Sequence, residues 1–403
     1  MHMKSDTTLR HAGQPGMREF IALMALAMSL VALSVDAMLP AFPEMTRDLR
    51  VTGVNDIQLV LSTLFIGLAI GQLFYGPLSD SIGRKPAIFI GFVLYILGSL
   101  LCMTASEFSL MLAGRLLQGI GAAGPRTVSI ALIRDRFHGS AMARVMSFIM
   151  TVFILVPILA PALGQFILLF SGWRTIFGLF VVLAVLIAVW LGIRQPETLP
   201  PQDRRRFTLA SVAAGFGMVL KSRLTMTWTI VAGAVSGSFL TYLNTSQQIF
   251  QQQYGVGKLF PLYFALLAVA LGVAALLNTR LVIRFGMHAL TEGALRVMML
   301  LSWLFLLLVW VYGVHPPLWL FMAMFMALFF CIGVMFGNMN AIAMEPLGHV
   351  AGTAASVIGS VTTLLAVGLG YSLGQAYDGT LYSLALGFAG LVSFSVVLSS
   401  IRK

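Results

Sequence analysis

Asp36 stands inside the apolar run "MALAMSLVALSVDAMLPAF", with no other carboxylate between Glu19 and Glu44. An acid in such a medium is costly, and function is its default explanation. It can take up and release a proton as water or a positive charge comes and goes. Positive charges are available in "MLAGRLLQGIGAAGPRTV", where Arg115 and Arg126 are eleven residues apart. On a helix that spacing is close to three turns, so both arginines share one face, about 16 Å apart. Asp36 lies about 18 residues, roughly 27 Å, along its own segment, and Arg115 about 10 Å into a segment running the other way. The two can therefore meet at one depth. Either they form a static ion pair that fixes the scaffold, or Asp36 is a proton site tuned by Arg115. Buried pairs are weak stabilisers, which favours the proton site. Arg126 either approaches the surface or lines an inner cavity, where it repels cations.

Other side chains suggest subsidiary roles. Asn244, Gln248 and Gln251 form an i, i+4, i+7 polar stripe in an apolar segment, and Asn338 and Asn340 sit in another. Such amides bond either a substrate or a neighbouring helix. The 23 Met and 29 Phe could furnish a soft, adaptable pocket. Pro157 and Pro161 remove backbone donors and bend their helix, and Gly164 follows within a turn. "GPLSDSIGRKP", Gly76 to Pro86, packs charge into a short turn. There Gly76 permits close helix approach and Gly83 a positive φ. Asp80 can accept N–H bonds from a helix start across an interface, while Arg84 and Lys85 can pair with acidic groups or helix C-termini. Glu107 and Glu345 fall at segment ends and are expected to be solvated. Cys102 and Cys331 lie far apart in apolar runs, which predicts neither a disulfide nor a metal site. No phosphate-binding Walker loop or other catalytic pattern occurs. The expectation is a protein that is not an enzyme and needs no cofactor.

The elements that must carry these residues follow from composition. Of 403 residues 59% are hydrophobic and only 10% charged, and the mean hydropathy is +0.94. A water-soluble fold could not cover that much apolar surface, so lipid is the solvent. A helix needs about 20 apolar residues to cross a bilayer. That length predicts twelve segments, near 18–43, 57–79, 87–105, 108–133, 141–170, 173–194, 224–250, 259–283, 288–312, 317–343, 350–375 and 379–400. The fold class is an all-α polytopic membrane protein. The polar stretch containing "RQPETLPPQDRRRF" divides it into a six-helix half at 1–194, a linker at 195–223 and a second six-helix half at 224–403. A net charge of +11 would suit nucleic acid, but the basic residues are scattered through short loops. On one side only Arg47, Arg50, Arg174 and Lys258 occur; nearly all the rest fall on the other. The positive-inside rule then places both termini and the linker in the cytoplasm. The two halves also show a faint repeat. "GPLSDSIGRKP" and "TRLVIRFGMHA" align Leu78 with Leu281 and Gly83 with Gly286, with Ile283 where Asp80 would be.

The spacing of Gly76, Leu78, Asp80, Gly83, Arg84 and Lys85 resembles the signature loop of the major facilitator superfamily. "RLLQGIGAAG" is similar to its second motif, with Arg115, Gln118, Gly119 and Gly121 in register. "VPILAPALGQ" resembles the antiporter motif through Pro157, Pro161 and Gly164, although Ala160 and Gln165 replace usual glycines. "VDAMLPAFPEM" looks like the Asp-x-x-x-Pro feature of twelve-helix drug:proton antiporters, and the whole, including "GTAASVIGS", looks most like the bicyclomycin/chloramphenicol resistance branch. The resemblance implies a proton-driven exporter of small, largely apolar drugs, working by alternating access in the bacterial inner membrane. Protons, substrate and lipid are then its partners, and it is expected to be a monomer. It implies that Gly76, Asp80, Gly83, Arg84 and Lys85 form a cytoplasmic gate and that Asp36 and Arg115 couple the proton. The substrate candidates are Asp36, Arg126, Asn244, Gln248 and Asn338. An exporter of a metabolite such as an amino acid or sugar is an alternative, as is a non-transporting sensor or scaffold.

Overall fold

The computed structural model describes residues 15–204, 206–313 and 315–401. The chain ends that the charge pattern places in the cytoplasm, and Arg205 of the linker, lie outside these residues. Segments in contact with lipid must satisfy their own backbone groups, and an α-helix does so within one segment. The regular elements among the described residues are accordingly all helical. They are α1 (Met17–Asp36), the short α2 (Phe42–Asp48), α3 (Leu59–Ile82), α4 (Arg84–Met103), α5 (Phe108–Arg136), α6 (Gly139–Phe170) and α7 (Arg174–Arg194). Then come α8 (Leu209–Lys221), α9 (Arg223–Gln247), α10 (Phe260–Phe285), α11 (Met287–Tyr312), α12 (Leu318–Met344), α13 (Ala351–Gln375) and α14 (Tyr382–Ser400). Eleven helical runs are long and apolar enough to cross a membrane. The apolar stretch Leu155–Phe170 of α6 supplies the twelfth. The end of the bundle where residues 195–222 cross is called the linker end below, and the opposite one the far end.

The first apolar segment is not the single helix expected over 18–43. α1 stops at Asp36, a 3-10 turn follows at Leu39–Ala41, and α2 begins with Pro43 in its first turn. Pro40 has no N–H to give the Asp36 carbonyl, so the α-helical ladder ends there. Asp36 thus occupies a helix terminus inside a continuous apolar run, Met17–Asp48.

α5 is wedged between α3 and α4 through its small residues. A Cβ on Gly119 would overlap the Leu64 carbonyl of α3, and one on Gly121 would overlap the backbone of Tyr95 in α4. These contacts seat α5 deeply enough to bury Arg115 completely. α6 touches α1 on one side and α10 on another, and α3 packs along α13. At the α1–α6 contact, a Cβ on Gly164 would overlap the Ala37 carbonyl. Later in the chain, α9 packs on α13 and α14, and α10 on α12, around an aromatic core where Tyr242 and Phe329 stand 4.9 Å apart. The faint repeat reappears in the backbone. Gly83 (φ 108°) opens α4 and Gly286 (φ 78°) opens α11, each in a conformation that only glycine adopts readily.

Candidate functional site

Arg115 is fully buried, yet its guanidinium does not face a carboxylate. Nε donates to the Val60 carbonyl (2.9 Å), Nη2 to the Ser34 carbonyl (3.0 Å) and Nη1 to Gln118 Oε1 (2.6 Å). Gln118 Nε2 donates to Ser99 Oγ (2.8 Å), and Ser34 Oγ shares a hydrogen with the Tyr95 hydroxyl (2.6 Å). One polar cluster thus ties α1, α3, α4 and α5 together. Asp36 reaches the same depth, two residues beyond Ser34, but it forms no ion pair with Arg115 among the described residues. The static-pair reading of these two residues therefore fails: two backbone carbonyls and the Gln118 amide, not Asp36, hold the cation. Asp36 is buried (4% exposed) and has no hydrogen bond or ion pair among the described residues. It lies within electrostatic reach of Tyr242 on α9, whose buried hydroxyl also has no hydrogen-bond partner. Among the described residues nothing offsets the desolvation of a charge on this carboxyl.

A cavity of about 160 Å³ lies at the middle of the bundle between α3, α5, α9, α12 and α13. Phe65, Phe239, Leu240 and Phe336 give it apolar walls, and Gln72, Asn340, Thr362 and Arg126 a polar part. Among the described residues that line it, Arg126 is the one that is charged, and none is a carboxylate. Although Arg115 and Arg126 share a face of α5, only Arg126 reaches this space. The substrate candidates Asn244, Gln248 and Asn338 do not line the cavity and use their amides between helices. Asn244 donates to the Gly370 carbonyl (3.2 Å), and Asn338 exchanges amide bonds with Asn278 (2.9 and 3.1 Å). Asp36 is not a lining residue either. Gln72 and Thr362 were missed by the sequence reading. Gln72, an amide within "GLAIGQLFYG", carried the signal of a polar residue in an apolar run; Thr362 carried none.

Gln248 instead belongs to an amide lock at the far end. Asn55 donates to the carbonyls of Gln375 (2.9 Å) and Tyr377 (2.8 Å), and Gln375 donates back to the Asn55 carbonyl (3.1 Å). Gln58 donates to Gln248 Oε1 (3.0 Å), and Gln248 donates to Asn55 Oδ1 (2.8 Å). Three separate stretches of chain are joined there without a charge.

The linker end is joined by charges. Arg84, 5% exposed, donates to Asp80, to Ser79 Oγ (2.7 Å) and to Asp135 (2.9 Å). Lys85 Nζ donates to the Gly192 carbonyl near the end of α7 (2.7 Å). Asp80 does not reach a helix start across an interface, as its position suggested; it faces Arg84, one turn away. The carboxylate that caps a helix start is Glu197 of the linker. It accepts the backbone N–H groups of Arg84 and Lys85 (both 3.0 Å) and of its neighbours Thr198 and Leu199 (both 2.9 Å). Gly83 must be glycine twice over, because its φ is positive and a Cβ would press on Glu197.

Residues 24–371 match the model of the Major Facilitator Superfamily. The chain belongs to the major facilitator superfamily. Superfamily relatives include an MFS-type transporter, YdgK of Bacillus subtilis, 30% identical over 85% of both chains. A bicyclomycin resistance protein homolog of Haemophilus influenzae is 32% identical over 85% of both chains. The multidrug resistance protein MdtL of Salmonella dublin is 30% identical over 60% of both. Among solved structures, a partially occluded inward-open conformation of the xylose transporter XylE from E. coli superposes with a TM-score of 0.74 at 12% identity, over 94% of this chain and 96% of that one. The protein is thus a multi-pass membrane transporter of the superfamily, not an enzyme, built on its twelve-helix fold.

Proposed function

We propose that the protein is a proton-coupled antiporter that exports small, largely apolar drugs from the cytoplasm across the bacterial inner membrane, as a monomer. The observation that carries the reading is Asp36, a buried carboxyl without a partner at the break in α1. The names of two relatives, a bicyclomycin resistance homolog and a multidrug resistance protein, support drugs as cargo. In this reading residues 1–194 and 224–403 are two halves that rock about the central cavity, and the 195–223 linker and both termini are cytoplasmic. Asp36 releases its proton to the cytoplasm as substrate enters and regains one from outside as substrate leaves. Two ligands that disfavour each other on one protein couple their fluxes, because linkage is reciprocal. Arg115 acts by holding α1 and α3 in place beside Asp36. Gly76, Asp80, Gly83, Arg84 and Lys85 latch the cytoplasmic end. The tight α1–α6 contact at Gly164, near Pro157 and Pro161, seals the path against proton leak.

Everted vesicles test the coupling. With an acid interior, added substrate should drive protons out of the lumen, read as a rise in internal pH by a fluorescent dye. Asp36→Asn removes the exchangeable proton and should abolish that rise. A wild-type-sized rise in the variant moves the proton site elsewhere.

A further inference from the structure

We propose that the central cavity selects for an anionic group, so that the substrate is a compact molecule with an apolar body and a carboxylate or similar acidic end. This rests on the reading of the cavity as the place where substrate binds. The cavity has one charged lining residue, Arg126, with no hydrogen bond or ion pair to any described residue. The two buried arginines named above are held: Arg84 by two aspartates and Arg115 by two carbonyls and an amide. Arg126 is half-buried, and a guanidinium partly withdrawn from water is costly unless an anion or several acceptors meet it. At Arg126 no described residue supplies either, which leaves the place to a ligand.

The neighbouring groups fit the same ligand. Gln72 is buried and makes no hydrogen bond among the described residues, and Thr362 Oγ1 is buried without a partner. Both line the cavity with Arg126. An amide N–H₂ and a hydroxyl can each donate, and a guanidinium presents a planar fork that matches a carboxylate with two parallel bonds. Phe65, Phe239 and Phe336 offer aromatic surface for the remainder of the molecule. The volume of about 160 Å³ is well below the roughly 300–1,000 Å³ of sites for drug-sized ligands. It favours a compact acid. A cation would meet Arg126 with no carboxylate in the lining to offset it.

The test uses three probes with one body: 3-phenylpropanoate, 3-phenylpropanamide and 3-phenylpropylamine. Their affinities are measured by tryptophan fluorescence on purified protein in detergent, without a proton gradient. Wild type should bind the carboxylate about 10- to 100-fold more tightly than the amide, the range for a hydrogen-bonded charge, and the amine most weakly. Arg126→Gln should bring the carboxylate down to the amide and leave the amide unchanged, which shows an intact site. Arg126→Lys keeps the charge without the fork and should weaken the carboxylate alone, by a few-fold. The inference is overturned if wild type binds the amide as tightly as the carboxylate, if it binds none of the three, or if the preference survives in Arg126→Gln. Should Arg126→Gln not fold, an undiminished carboxylate affinity in Arg126→Lys overturns it. Proton release is a separate readout: its absence ends the antiport reading and leaves this preference standing, and loss of the preference leaves antiport standing.

Discussion

Glu197→Ala should detach the linker from the start of α4. The carboxylate accepts two N–H groups from Arg84 and Lys85 and two from its own segment, at 2.9 to 3.0 Å. A hydrogen bond to a charged group contributes about 1.5–3 kcal/mol when water cannot replace it. Two such bonds cross from the linker to α4, which sets an upper limit of about 3–6 kcal/mol. Glu197 is only half-buried, however, and water can reach the freed donors. The cost then falls to that of losing a helix cap, about 1–2 kcal/mol. At 1.4 kcal/mol per factor of ten, the Arg84 and Lys85 amides should exchange hydrogen roughly 5- to 30-fold faster. Hydrogen–deuterium exchange with mass spectrometry on the peptide spanning Gly83 to Pro86 reads this directly. Amides in the middle of α4 should not change. Unaltered exchange at Arg84 and Lys85 would refute the cap and leave the linker without a hold on this loop.

The Arg84 cluster, read as a latch, predicts that Asp80→Asn or Arg84→Ala leaves ligand binding intact and slows transport tenfold or more; normal turnover in both ends that reading. Gly164→Val places a side chain in the Ala37 carbonyl and should prevent tight α1–α6 packing. Its melting temperature in detergent should fall by several degrees, the response to overpacking by about 1–3 kcal/mol. Asp378 accepts the N–H (3.0 Å) and hydroxyl (2.6 Å) of Thr380, and these bonds hold its carboxyl below the usual aspartate range. A lowered folded value means the contribution is complete above the ordinary value of about 3.9 and is lost as pH falls below it. The local order of the Asp378–Thr380 turn, followed by NMR of the Thr380 amide, should therefore hold at pH 5 and decay below about pH 4.

The helices were legible because lipid leaves an apolar run little alternative. What the runs concealed was where a helix breaks. Pro40 and Pro43 were visible in the first segment, but hydropathy continues through them, and only the missing donors stop α1 at Asp36. Asp36 itself was legible as a lone deep carboxylate. Its relation to Arg115 was not, since two of the three acceptors that hold Arg115 are backbone carbonyls, which every residue owns and which packing alone selects. The amide stripe that begins at Asn244 on α9 and continues just beyond it pointed to substrate because an i, i+4, i+7 pattern is the same whether it faces a cavity or another helix. Gln248 meets Gln58 and Asn55 across about 190 residues of chain. Glu197 gave no signal, being one acid in a polar linker more than 110 residues from the amides it caps.

The two ends of the bundle are fastened by different physics. At the far end Asn55, Gln58, Gln248 and Gln375 are neutral. At the linker end Arg84, Asp80 and Asp135 are ionic, and both aspartates meet water, at 39% and 20% exposure. Dissolved ions screen exposed charges over a Debye length of about 8 Å at physiological ionic strength and about 3 Å at 1 M, and they leave amide pairs nearly untouched. Ionic strength therefore acts on one fastening and not on the other. Concentrated electrolyte weakens the water-facing side of the Arg84 cluster, while the buried guanidinium keeps most of its attraction. In the alternating-access reading proposed above, a change of electrolyte on the linker side shifts the balance between access states through this end alone.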